Sequence, residues 1–112
     1  MKTPRTIARE YMDCFFGERP LMEMASLLND DLEFEGPLFN GNRASDYLDA
    51  LYKDPPREAT YTLLHEYTDN TSSCLVYTLT KPGTQTTIAE TFEASKGKLF
   101  RIRTLFNPAN LR

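Results

Sequence analysis

The sequence predicts an α+β fold: three N-terminal helices packed on a curved antiparallel sheet built by the second half of the chain. Two patterns predict it. Apolar residues recur at helical spacing in three segments of the first half, and four later runs alternate with period two, joined by connections short enough for hairpins. The length agrees: 112 residues, read as one domain over 1–112, bury about 65% of their unfolded surface and can hold a core.

Each element follows from local residues. Thr3 can cap a helix whose first position is Pro4, and Ile7, Tyr11, Cys14 and Phe15 then share a face until Gly17 ends it. After Pro20, the spacing of Leu21, Met24, Ala25 and Leu28 predicts a second short helix, closed by Asp30 and Asp31 as a solvated turn and cap. Leu32 and Phe34 alternate with Glu33 and Glu35 in a brief strand that breaks at Gly36 and Pro37. Asn42 is placed to cap a third helix, with Tyr47, Leu48 and Leu51 inward and "DPP" at its end. The runs over 59–68, 73–80, 84–94 and 98–106 are punctuated by "DNTS", "KPGT" and "SKG", which predicts an antiparallel meander.

Strict alternation divides these runs between two faces. One face collects Tyr61, Leu63, His65 and Tyr67, then Leu75, Tyr77 and Leu79, then Ile88, Glu90 and Phe92, then Phe100, Ile102, Thr104 and Phe106. The other is mixed, with Cys74, Val76, Ala89, Leu99 and Leu105 among threonines; Arg101 and Arg103 are expected to pair there with Glu66 or Glu93. The helices are the available cover for the apolar face, and they can close over it or leave a cone-shaped hollow.

Composition removes several function classes. Thirteen basic against sixteen acidic residues give a formal charge of −3 with no basic run, so neither nucleic acid nor a membrane surface is an expected partner. Cys14 and Cys74 are isolated thiols, as suits a reducing compartment, and the N-terminus has no apolar leader, so a cytoplasmic location is expected. Nucleotide-binding, P-loop, serine-hydrolase and zinc-protease motifs are absent, so no cofactor is expected. One histidine with no second ligand at metal spacing is too little for zinc, so no metal is expected either.

Glu90 is the residue that asks for a function. A buried, unpartnered carboxylate costs several kcal/mol, more than the roughly 1.5–3 kcal/mol from burying an apolar side chain, so Glu90 must be protonated, paired or beside a wet cavity. Desolvation raises a carboxyl's pKa and lets it donate to a ligand oxygen or move a proton. The plainer alternative is a Glu hydrogen-bonded to Tyr or His in a closed core, or one at a frayed rim. His65 reads either as a packed core histidine or as a second acid–base group, and Tyr11 either as helix packing or as a hydroxyl meeting Glu90 across the hollow.

The stretch "AREYMDCFFGERPLMEMASLLNDDLEFEGPL" and the ending "GKLFRIRTLFNPANL" resemble the nuclear transport factor 2-like superfamily, in particular its SnoaL-like, cystatin-like members. The resemblance covers almost the whole chain and implies a cone between helices and curved sheet, commonly with a homodimer through the sheet's outer face. Among related ketosteroid isomerases, the helix-one tyrosine falls on Tyr11 and the protonated carboxylic acid of the oxyanion hole falls on Glu90 in "IAETF". Their general base falls on Gly36 in "FEGP", which has no side chain to serve, so their proton shuttle does not transfer.

Three readings result. The first is an enzyme performing isomerisation, aldol-type cyclisation or (de)hydration, with Glu90, Tyr11 and His65 as catalytic candidates. Phe15, Phe34, Pro37, Tyr47, Leu51, Tyr61, Leu75, Tyr77, Phe92, Ile102, Thr104 and Phe106 are the expected lining of its pocket for a small hydrophobic ligand. The second uses the same pocket for binding without turnover. The third is a dimeric interaction module with a closed core.

Overall fold

The Thr3 hydroxyl accepts the Thr6 amide at 3.2 Å and Pro4 occupies the first helical turn, so α1 (Pro4–Phe15) starts where its cap directs. The computed structural model describes residues 1–111. After α1 come a 3₁₀ helix (Leu21–Leu27), β1 (Leu28–Glu35), β2 (Asn40–Gly41), α2 (Ala44–Lys53), β3 (Thr60–Thr68), β4 (Ser72–Lys81), β5 (Thr84–Ser95), β6 (Lys98–Leu105) and a final 3₁₀ turn (Pro108–Leu111). One sheet has the strand order β2-β1-β6-β5-β4-β3. The helical layer over a sheet is the α+β arrangement the periodicities predict. None of the described helices is long and apolar enough to cross a membrane.

The sheet is mixed, because β1 runs parallel to β6 while every other pairing is antiparallel. Such a pairing joins the two ends of the chain and leaves no local signal. Asp30 and Asp31, expected as a turn, lie inside β1 where its register to β6 shifts between Leu28 and Glu33. Both are exposed, and Asn29 Oδ1 accepts the Asp31 amide at 3.0 Å, so their turn chemistry survives as an irregularity in the strand. The residue at the cap of α2 is Arg43, without a side-chain bond, rather than Asn42.

Two bulges overturn parts of the strict alternation. Leu63 pairs with Tyr77 but His65 pairs with Val76, so Leu64 is an extra residue and everything after it changes face. His65 and Tyr67 therefore point outward, while Glu66 turns toward α1 and meets Arg9 Nε at 2.7 Å and Arg5 Nε at 3.2 Å. In β6, Glu93 pairs with Arg101 and Ala94 with Leu99, leaving Phe100 extra. Leu99 is thereby fully buried in the core instead of lying on the outer face, and Phe100 sits half-buried with the Arg101 guanidinium over its ring.

On the outer face Arg101 reaches Glu93 at 3.2 Å, as expected, and also Glu33 at 2.8 Å, while Arg103 reaches Glu35 at 3.3 Å. The parallel β1 supplies these extra partners. Beneath the helices, Ile7, Met12, Met24, Leu28, Leu32, Leu75, Phe92 and Ile102 pack into a sealed core. It fills part of the concave face, covered by α1 and the 3₁₀ helix.

Candidate functional site

The rest of the concave face stays open, as a cavity of about 360 Å³ bounded by α1, α2, the sheet and the segments 36–39 and 54–59. Its walls are mostly aromatic and aliphatic, with Phe15, Phe34, Phe39, Leu51, Leu79 and Phe106 among them. Glu90 lies in this wall at 3% exposure.

Register explains how Glu90 is held. It pairs with Leu75 on β4, and Tyr77, which pairs with Ile88, is its diagonal neighbour on the same face. The Tyr77 hydroxyl donates to Glu90 Oε1 at 2.7 Å. Among the described residues Glu90 Oε2 has no hydrogen-bond partner, yet the one sealed polar orphan is Ser73 Oγ, so Oε2 opens to the cavity. A second polar pair faces it from the helices: the Tyr11 and Tyr47 hydroxyls share a short hydrogen bond. Phe34 stacks on the Tyr47 ring at 4.3 Å and Phe92 meets the Tyr11 ring edge-on at 5.2 Å, which fixes both phenols.

Burial sets the protonation states. Desolvation pushes the Glu90 carboxyl up to about 7, against the smaller opposing effect of the Tyr77 hydrogen bond. The Tyr77, Tyr47 and Tyr11 hydroxyls are pushed up as well, first by burial and then by neighbouring acidic groups, Glu90 among them. At neutral pH the phenols are therefore neutral donors and Glu90 titrates. The Tyr77 proton is committed to Glu90, and the Tyr11–Tyr47 pair uses one of its two protons internally, which leaves one phenolic proton for a guest. A protonated Glu90 adds a second donor.

Gly36 lines the cavity with no side chain, and the space beside it is already filled. A Cβ built on Gly36 would overlap Thr104 Oγ1 and lie 3.3 Å from the Phe34 ring. Thr104 pairs with Glu90 across β5 and β6, and its hydroxyl takes the space beside Gly36 where the resemblance would put a general base.

The structure brings together at the cavity Glu90, Tyr11, Phe15, Phe34, Tyr47, Leu51, Tyr77, Thr104 and Phe106 from the sequence-derived candidates. It separates five others. Leu75, Phe92 and Ile102 are fully buried in the core next to the cavity rather than on its surface. Tyr61 packs beside the site, with its ring 4.7 Å from that of Phe16. Pro37 is exposed, because the 36–39 turn sends Leu38 and Phe39 to the cavity and Pro37 outward. His65, the sixth displaced candidate, is exposed on the opposite face and stacks on Tyr67 at 6.1 Å, so it cannot serve this cavity. The bulge at Leu64 is the cause.

Sequence reasoning missed Lys81, Asp54, Phe39 and the 55–59 segment. Lys81 does continue the Leu75, Tyr77, Leu79 alternation, so its signal was present; the loop residues had none. Among the described residues no three His, Cys, Asp or Glu side chains gather as a metal site requires.

Solved structures share this architecture. An NTF2-like protein of unknown function from Cytophaga hutchinsonii superposes with a TM-score of 0.82 at 19% identity, over 99% of this chain and 96% of that one. A proposed ketosteroid isomerase from Kribbella flavida gives 0.80 at 24% identity, over 93% and 77%. An LEH-like epoxide hydrolase from M. tuberculosis gives 0.78 at 16% identity, over 94% and 83%. No protein-family model and no curated protein sequence matches the chain. At these identities the likeness is one of fold: the chain has the NTF2-like cone.

Proposed function

We propose that this protein binds a small, largely apolar molecule in the cone through one oxygen of that molecule, which accepts hydrogen bonds from protonated Glu90 and from the Tyr11–Tyr47 pair. The observation that carries this reading is a buried carboxyl with a free oxygen in the wall of an apolar cavity, held by Tyr77. A closed core would have no use for such a group, because an unpartnered buried polar atom destabilises it.

Acid–base chemistry is the extension of that binding. Glu90 titrates near neutrality, so it can polarise a carbonyl, or protonate a departing hydroxyl and, as the carboxylate, take back a proton from the adjacent carbon. That suffices for (de)hydration, for aldol-type cyclisation, or for an isomerisation whose base is the Glu90 carboxylate itself. A shuttle that needs a separate base at Gly36 is disfavoured by the Thr104 hydroxyl packed there. The neighbours named as an isomerase and an epoxide hydrolase fit small-molecule chemistry in this fold.

A thermal-denaturation panel of phenols and cyclic enones tests the reading. A ligand at 100 times its Kd stabilises the fold by about 2.7 kcal/mol. The expected result is a raised midpoint with at least one class, reduced in Glu90→Leu. No shift with either class, or equal shifts in Glu90→Leu, would contradict it.

Exposed Leu64, Tyr67 and Leu105 on the outer sheet face support a second reading, a homodimer through that face. Light scattering at micromolar concentration tests it, and a monomer there would contradict it.

A further inference from the structure

We propose that the ligand of the cone is an organic anion, with an apolar body, an oxygen function for Glu90 at one end, and a carboxylate or similar acid for Lys81 at the other. The inference rests on the pocket reading above and adds the second end of the molecule.

Charge at the cavity is sparse and asymmetric. Three of the described lining residues carry it: Glu90 in the interior, and Lys81 and Asp54 elsewhere in the wall. Among the described residues Lys81 is the only cation of the lining. It is half-buried, and among the described residues it makes no ion pair. Asp54, at the end of α2, is exposed, so solvent screens it more than the ammonium on the sheet. An ammonium lining an apolar hollow without a carboxylate partner attracts an anion more strongly than one in bulk water.

The ladder sets the spacing. Leu75 pairs with Glu90, and Lys81 lies six residues further along β4 on the same face. At about 3.3 Å per residue this places the two backbones roughly 20 Å apart. A lysine side chain that leans along its strand toward Glu90 shortens the span between the functional groups to on the order of 15 Å. A fused bicyclic ring with polar groups at opposite ends, about 9 Å between its oxygens with a hydrogen bond of about 2.8 Å at each, fits that span and the volume of about 360 Å³.

The test uses fluorescence titration of the full chain with 6-hydroxy-2-naphthoic acid, its methyl ester and 2-naphthol. The expected result is that the acid binds roughly five- to tenfold tighter than the ester at low salt. Lys81→Met should remove the difference by weakening the acid alone, Lys81→Arg should retain it, and high salt should shrink it. Equal affinities of acid and ester, or a difference untouched by Lys81→Met, overturn the anionic end while the pocket stands. Failure of all three probes to bind overturns the pocket reading and this inference together.

Discussion

Strands β4 and β5 pair over ten consecutive positions, from Ser72 with Glu93 to Lys81 with Thr84, without a slip; β3 and β6, which flank them, each carry one extra residue. The unbroken ladder carries Tyr77, Lys81, Ile88 and Glu90 into the cavity, where alternation alone places them. The bulged strands bend around it, and beyond each bulge the faces are exchanged. A side chain's orientation is thus only as predictable as the ladder between it and the nearest irregularity.

The sharpest way to test that contrast is to truncate one residue from each region. Phe92, fully buried opposite Ile102, should lose about 3–5 kcal/mol of stability as Phe92→Ala, measured by urea denaturation. His65→Ala, on the outward side of the β3 bulge, should stay within about 0.5 kcal/mol. A large loss at His65 would mean that the bulge does not turn it outward.

Glu90 supplies the next largest effect, and its sign is set by a raised pKa. Below the ordinary carboxyl value of 4.5 both folded and unfolded chains are protonated there. Between that value and about 7 the folded protein keeps a proton that the unfolded chain has released, so stability falls as pH rises and then levels off. The loss is on the order of 3 kcal/mol. Glu66, held below the usual carboxylate range by Arg9, contributes the opposite slope as pH falls. Comparing wild type with Glu90→Gln across this window isolates the Glu90 part; identical profiles would refute it.

Gly36→Ala probes the join between β1 and β6. Its Cβ would overlap Thr104 Oγ1, so a loss of about 1–2 kcal/mol is expected, relieved by Thr104→Ala in the double variant. Additive losses would show that the two residues do not compete for that space. The smallest expected change is at Ser73, whose buried hydroxyl has no partner among the described residues. Ser73→Ala should be neutral or stabilising by up to about 1 kcal/mol in the same denaturation assay. A clear loss there would point to a hydrogen bond that the packing does not show.

The same contrast measures what was legible in the sequence. The Thr3 cap, the helical face of Ile7 and Tyr11, and the placing of Glu90 among apolar residues all depend on short-range periodicity, and all are found. The exchange of Glu66 with His65 and of Leu99 with Phe100 could not be read, because one inserted residue leaves the pattern of residue types nearly unchanged while reversing its phase. The Tyr11–Tyr47 bond and the parallel pairing of β1 with β6 join segments far apart in the chain, and no local pattern encodes them. Tyr77 was legible as a wall of the pocket; its role as the donor that holds Glu90 needed the register.

The most direct measurement is a carbon-13 NMR titration of the Glu90 carboxyl, with Tyr77→Phe alongside. A value near 7 in the wild type, rising further when the Tyr77 donor is removed, is the predicted result. A value near 4 that does not respond to Tyr77→Phe would show a solvated, ordinary side chain and contradict the site.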